Sequence, residues 1–243
     1  MQNIWGIVVG VIVAAGIGAV VYKVVDSDGD GPRATTPAPT PLAQNTASGT
    51  AAQTPTPMPQ SDAHFGQIPV TDDDFQMGKP DAPITLVEYA SITCPHCAAF
   101  DAEVMPQLKA AYIDTGKVRY VYRDFPLDRV ALTASVVARC AGRDRYFGFV
   151  EAFFASQLTW GRAQNPVEAL GRIARLGGMS ESEFDACTKN QKIQEQVLAQ
   201  RLEGEKTYKI QATPTLFIQG DRYTGELRFD ELKALLDARL PKS

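Results

Sequence analysis

Cys94-Pro95-His96-Cys97 sets two thiols three positions apart, the spacing that stacks side chains one turn apart on a single helix face. Sulfurs so placed can close and reopen a bond with little backbone movement. Upstream, Ile84-Thr85-Leu86-Val87-Glu88-Tyr89-Ala90 is nearly all apolar and rich in branched residues, the composition of a buried strand. Downstream, Ala98 to Tyr112 reads as a helix. The pair therefore falls where a strand hands over to a helix N-terminus, where free backbone N–H groups and the helix dipole stabilise an anionic sulfur. Pro95 suits a first helical turn, which needs no N–H from it. Cys94 is expected at the cap, exposed, as the attacking sulfur. Cys97 is expected one turn in, more buried, as the resolving sulfur. His96, once protonated, adds positive charge beside the Cys94 thiolate, which favours the reduced form and makes the disulfide an oxidant. The same tetrapeptide would also serve as half of a zinc site or as a plain crosslink. The other cysteines, Cys140 and Cys187, do not make a second CxxC, so no metal site is expected.

The elements that must hold this turn follow from pattern. Val118–Phe125 reads as a second strand, parallel to the first because a helix crosses between them. Pro106 is expected to kink that helix. Arg129–Ala141, Arg145–Ser156, Val167–Leu176, Glu181–Lys189 and Ile193–Tyr208 are helical in pattern. Leu216–Gln219 and Arg222–Thr224 read as strands around a Gly220-Asp221 turn. Phe229, Leu232, Leu235, Leu236 and Leu240 form the apolar stripe of a last helix. The expected class is α/β. No P-loop or dinucleotide fingerprint appears, and no cofactor is expected.

Gly78-Lys79-Pro80-Asp81-Ala82-Pro83, Leu86-Val87-Glu88-Tyr89, the CPHC turn, Tyr122-Arg123-Asp124-Phe125-Pro126-Leu127 and Ala212-Thr213-Pro214-Thr215 occur in this order. Together they resemble the DsbA family of thiol–disulfide oxidoreductases across about residues 75–240. The resemblance implies a thioredoxin-like fold with an inserted α-helical domain at about 128–209, working in the bacterial envelope. Its catalytic residues would be Cys94, Cys97, His96, Pro95 and Glu88. It implies that Pro214 is cis and faces the CxxC pair, turning the backbone of Thr213 outward so that an extended substrate can pair with it. Without the family, Pro214 reads as a turn proline entering a strand. Strong oxidases of the family often carry valine before this proline, whereas isomerases and some reductases often carry the threonine found here.

Glu88 is a carboxylate in an apolar strand, six residues before Cys94. Burial would raise its pKa, and it could exchange a proton with Cys97; alternatively it reaches solvent or pairs with Lys117 or Arg119. Tyr89 and Phe125 read as core. Cys140 and Cys187 both fall in helical segments. They are expected either as a structural disulfide, as some family members carry, or as two buried free thiols.

Three domains are expected: a transmembrane anchor at 1–25, a Pro/Thr/Ala-rich linker at 26–64 and the oxidoreductase domain at 65–243. Ile4 to Tyr22 carries no charge and is long enough to cross a bilayer. The other reading is a cleaved signal peptide, although no small-x-small site follows directly. Lys23 votes weakly for a cytoplasmic far side; the cysteine chemistry votes for an extracytoplasmic one. Asp26-Ser27-Asp28-Gly29-Asp30-Gly31 looks like the start of a calcium loop, but Pro37 stands where the bidentate Glu is required. Pro32 to about Ser61 has almost no large apolar residue, as linkers do. His64, at its end, has no evident role. A net charge of −4 gives no case for nucleic acid. The expected partners are reduced or unfolded envelope proteins as substrates and, by family analogy, a DsbB-like, quinone-linked membrane reoxidant. An isomerase or reductase of the same fold is the first rival. A non-enzymatic protein that binds a client or a soft metal through Cys94 and Cys97 is the second.

Overall fold

The computed structural model describes residues 59–241. The apolar run Ile4–Tyr22, the acidic stretch after it and the linker up to residue 58 lie outside them. Among the described residues no helix is long and apolar enough to cross a membrane.

Six strands form one mixed sheet: β1 (Ala63–His64), β2 (Phe75–Met77), β3 (Ile84–Ala90), β4 (Val118–Asp124), β5 (Thr215–Ile218) and β6 (Asp221–Thr224), in the spatial order β1-β6-β5-β3-β4-β2. β3 and β4 are parallel, and every other neighbouring pair is antiparallel. The connection between the parallel pair comprises α1 (Pro95–Glu103), α2 (Met105–Leu108) and one π-helical turn, Lys109–Ile113. The break between α1 and α2 falls at Val104, two residues before Pro106, whose ring cannot supply the N–H that a continuous helix needs there. Six helices separate β4 from β5: α3 (Arg129–Cys140), α4 (Arg143–Ala155), α5 (Gln157–Trp160), α6 (Pro166–Leu176), α7 (Glu181–Thr188) and α8 (Gln191–Lys206); α9 (Phe229–Asp237) closes the chain. Side-chain caps start several of them. The Asp128 carboxylate accepts from Ala131 N–H, and Ser180 and Glu183 form a reciprocal capping box.

Period-two alternation divides β3 between two cores. Ile84, Leu86 and Ala90 face the larger cluster, which contains Cys97, Phe100 and the helical layer; Val87 and Tyr89 face a smaller one with Val121, Phe125 and Phe217. Glu88 shares the face of Leu86 and Ala90, so its carboxylate is directed toward the active-site helix. The hairpin turn is Gln219-Gly220, one residue earlier than the expected Gly220-Asp221. Both have positive φ (52° and 90°), as a two-residue type I′ loop demands, and a Cβ on Gly220 would lie 1.9 Å from the carbonyl oxygen of Gly66. The end of the stretch read as linker joins the sheet: Asp62 N–H donates to the Arg222 carbonyl, β1 pairs with β6, and His64 Nδ1 meets Asp221 at 2.7 Å.

Candidate active site

β3 ends at Ala90, and a short turn delivers Cys94 as the residue that caps α1, with Pro95 in the first turn. Cys94 N–H donates to the Ser91 carbonyl at 3.0 Å, and Thr93 Oγ1 donates to Asp128 at 2.7 Å. Cys94 and Cys97 are free thiols in this structure. Expected in the open, Cys94 is only 5% exposed. The reason is the loop ahead of β5. Thr213–Pro214 is a cis peptide, and its backbone lies against the cysteine, with Cys94 Sγ donating to the Thr213 carbonyl at 3.2 Å. The hydroxyl of Thr213 is buried and has no hydrogen-bond partner. When Cys94 ionises, that hydroxyl is at hand to donate to the sulfur.

The two sulfurs are driven in opposite directions. Hydrogen bonding from Cys97 contributes most to lowering Cys94, outweighing burial; Thr213 and the backbone N–H groups of Cys97 and His96 add to it, and the pKa is brought down to about 5. Burial first, then the Cys94 bond and the Glu88 charge, push Cys97 far above the ordinary thiol range. Glu88 is 2% exposed and reaches neither solvent nor Lys117 or Arg119. Its Oε2 accepts from Tyr120 Oη at 2.6 Å. Burial raises Glu88 to about 8, the Tyr120 bond opposing and the charges of Asp101 and Cys94 adding. At neutral pH Glu88 is therefore mostly a neutral acid. Tyr120 also lines a cleft of about 320 Å³, together with Asp101, Met105 and Glu151 among others. Burial and the Glu151 charge raise Asp101 to about 6.

His96 lies on the surface, but Cys94 is not its only neighbour. Its Nδ1 meets Glu226 Oε1 at 2.5 Å, and that bond and charge raise its pKa. Pro95, His96, Cys94 and Cys97 thus share one turn, with Thr213 and Pro214 across from it and Glu88 beneath. Cys140 and Cys187 are elsewhere, bonded to each other across α3 and α7 with a Cα–Cα separation of 5.8 Å.

Sequence reasoning missed three side chains that hold this arrangement. Tyr120 was legible in principle, because the parallel register pairs it with Leu86, on the face of Glu88. Gln157, 8% exposed, donates from Nε2 to the carbonyls of Ile92 (2.7 Å) and Cys94 (3.0 Å). Glu226 is 130 residues from His96. Neither has a local sequence signal.

A thioredoxin family model matches residues 71–238. A putative protein-disulfide oxidoreductase of Rickettsia bellii is 33% identical over 175 residues, covering 72% of this chain and 67% of its own. Its counterpart in Rickettsia felis is 33% identical over 172 residues, covering 70% and 62%, so the chain spans about two thirds of the length of these relatives. The crystal structure of Wolbachia pipientis alpha-DsbA1 superposes with a TM-score of 0.66 at 31% identity, covering 70% of this chain and 92% of that one. Family match, relatives and fold agree, and the chain belongs to the DsbA-type thiol–disulfide oxidoreductases of the thioredoxin family.

Proposed function

We propose that the chain is an oxidant of extracytoplasmic protein thiols, donating the Cys94–Cys97 disulfide through a mixed disulfide on Cys94. The observation that carries this is the divergence of the two sulfurs, Cys94 lowered to about 5 and Cys97 raised. A substrate thiolate attacks Cys94 Sγ, and the electron pair of the Cys94–Cys97 bond leaves on Cys97. Cys97 cannot stay anionic where it is buried, and Glu88, protonated near neutrality, is placed to supply its proton. A second substrate thiolate then attacks the substrate sulfur of the mixed disulfide. Cys94 departs as a thiolate, a good leaving group because its pKa is low. Two substrate thiols are oxidised and the enzyme disulfide is reduced. In the reverse direction Cys97 resolves the mixed disulfide and Glu88 takes the proton. Substrate docks as an added strand on the backbone at Thr213–Pro214.

The cycle then needs an electron acceptor, and a quinone-linked membrane protein of the DsbB type is the proposed one. Composition supports Ile4–Tyr22 as an anchor in the bacterial inner membrane and residues 26–61 as a tether, with the working domain outside the cytoplasm starting at Asp62, where the chain joins the sheet. Thr213 favours one other direction, isomerase or reductase, because such members of the family often carry threonine before the cis-proline, where strong oxidases often carry valine.

The redox equilibrium of the full chain with glutathione tests the direction. A potential well above the roughly −270 mV of thioredoxin marks an oxidant, and one near it marks a reductant. Cys94→Ser must abolish oxidation of a reduced, unfolded protein, and Cys97→Ala must trap substrate adducts. A fully active Cys94→Ser variant refutes the assignment.

A further inference from the structure

We infer that Glu226 is a positioning residue of the redox turn: held against His96, its carboxylate offsets positive charge beside Cys94 and so sets how oxidising the Cys94–Cys97 pair is. The inference rests on the proposed redox function and names a regulator of that site. Glu226 follows Gly225, whose N–H donates to the Pro214 carbonyl at 2.9 Å. The loop after β6 is therefore fastened to the cis-proline loop, and the fastening carries the carboxylate to His96 Nδ1. Both side chains are exposed, at 66% and 48%. Two groups act on the charge of His96, Glu226 and Cys94. Glu103 and Arg228 line the shallow pocket beside Glu226, but Arg228 is held by Asp230 and Glu231.

The sign follows from counting charge. When His96 is protonated, the pair with Glu226 is neutral; without the carboxylate it would be +1. When His96 is neutral, the pair is −1; without the carboxylate it would be 0. Below the His96 midpoint that remains without the carboxylate, and above the midpoint that holds with it, losing Glu226 makes the surroundings of Cys94 more positive, which stabilises the thiolate and the reduced enzyme; between the two midpoints the carboxylate and the imidazolium proton leave together and the net charge stays the same. The same loss makes His96 easier to deprotonate. Removing Glu226 should therefore yield a stronger oxidant with a less basic histidine. A merely structural residue would not link those two changes. Because the pair is exposed, the effect is modest, about two- to fivefold in the equilibrium constant.

The test uses the full chain with Glu226→Gln, and Glu103→Gln as a control that removes an equal charge from the same pocket. NMR titration of His96 should show its midpoint lowered in Glu226→Gln, and equilibration with glutathione at a pH above the His96 midpoints of both proteins should show the Glu226→Gln pair about two- to fivefold more oxidising than wild type. Glu103→Gln should leave the His96 midpoint in place. An unmoved midpoint in Glu226→Gln, an unchanged equilibrium constant, or equal shifts from Glu103→Gln each overturn the inference. A wild type that does not exchange with glutathione would sink the redox reading instead, while the His96 titration would still report on the pair.

Discussion

Cys94 and Cys97 lie at the start of α1; Cys140 is the last residue of α3, and Cys187 is next to last in α7. One pair therefore sits where backbone N–H groups converge, and the other where two helices end and their carbonyls point outward. The partial positive charge of a helix N-terminus stabilises a thiolate, and the partial negative charge of a C-terminus opposes one. At the first pair the reduced form gains an anion that the fold holds in place. At the second, reduction would create two thiols with no such help, Cys187 buried and Cys140 half-buried between packed helices. The same element is thus exchangeable in one place and a lasting crosslink in the other because of which helix end receives it. Sequence separation sharpens the contrast: the reactive cysteines are three positions apart, the crosslinked ones 47.

The difference can be broken or refined by experiment. The largest effect belongs to the crosslink. Cys140→Ala with Cys187→Ala removes a loop constraint worth roughly 4 kcal/mol on the chain-entropy model. Denaturant titration should show a loss approaching that size, while the glutathione equilibrium of Cys94–Cys97 stays within twofold of wild type. A large shift of that equilibrium would mean that the two pairs are coupled.

Next comes Glu88→Gln, which asks whether burial of the carboxyl is tuned for the CxxC pair. Its folded pKa, about 8, stands above the ordinary 4.5. The folded chain thus keeps a proton that the unfolded chain releases, and this group's contribution declines as pH rises from 4.5 through 8. Glutamine does not titrate. Glu88→Gln should be near neutral for stability at pH 5 and stabilising by roughly 3–4 kcal/mol at pH 9, once about 1 kcal/mol is allowed for a weaker Tyr120 bond. Denaturation at the two pH values checks the sign. The variant should also slow resolution by Cys97.

The smallest effect tests the asymmetry within the reactive pair. Alkylation of Cys94 should follow a midpoint near 5, the value to which its surroundings bring it. Thr213→Val deletes one donor to the thiolate and should raise that midpoint by about one pH unit. Thiolate absorbance reads both; an unmoved midpoint would assign the low value to the helix and Cys97 alone.

Much of this was legible in the chain because the signals were local. The apolar run of β3, the CxxC spacing and the periodic helices of the insertion each declare themselves within a few residues, and the observed bounds lie within a few residues of those expected. β2 escaped because three residues, Phe75–Met77, are too short to show alternation; they are a strand only because β4 offers an edge. α5, a single turn at Gln157–Trp160, escaped for the same reason. The exposure expected of Cys94 failed because the cover comes from Thr213, which lies 119 residues away. Long-range contacts of this kind leave no trace in composition or period.

The amide of Gln157 has a mechanical consequence. One nitrogen serves the carbonyls of both Ile92 and Cys94, so the helical layer grips the redox turn here as well as at the Thr93–Asp128 bond. Prising that layer from the sheet would strip two buried acceptors of their shared donor in one stroke, at about 1–3 kcal/mol each. In the proposed docking, a client that lies along the rim beside Thr213 leaves both of those hydrogen bonds in place.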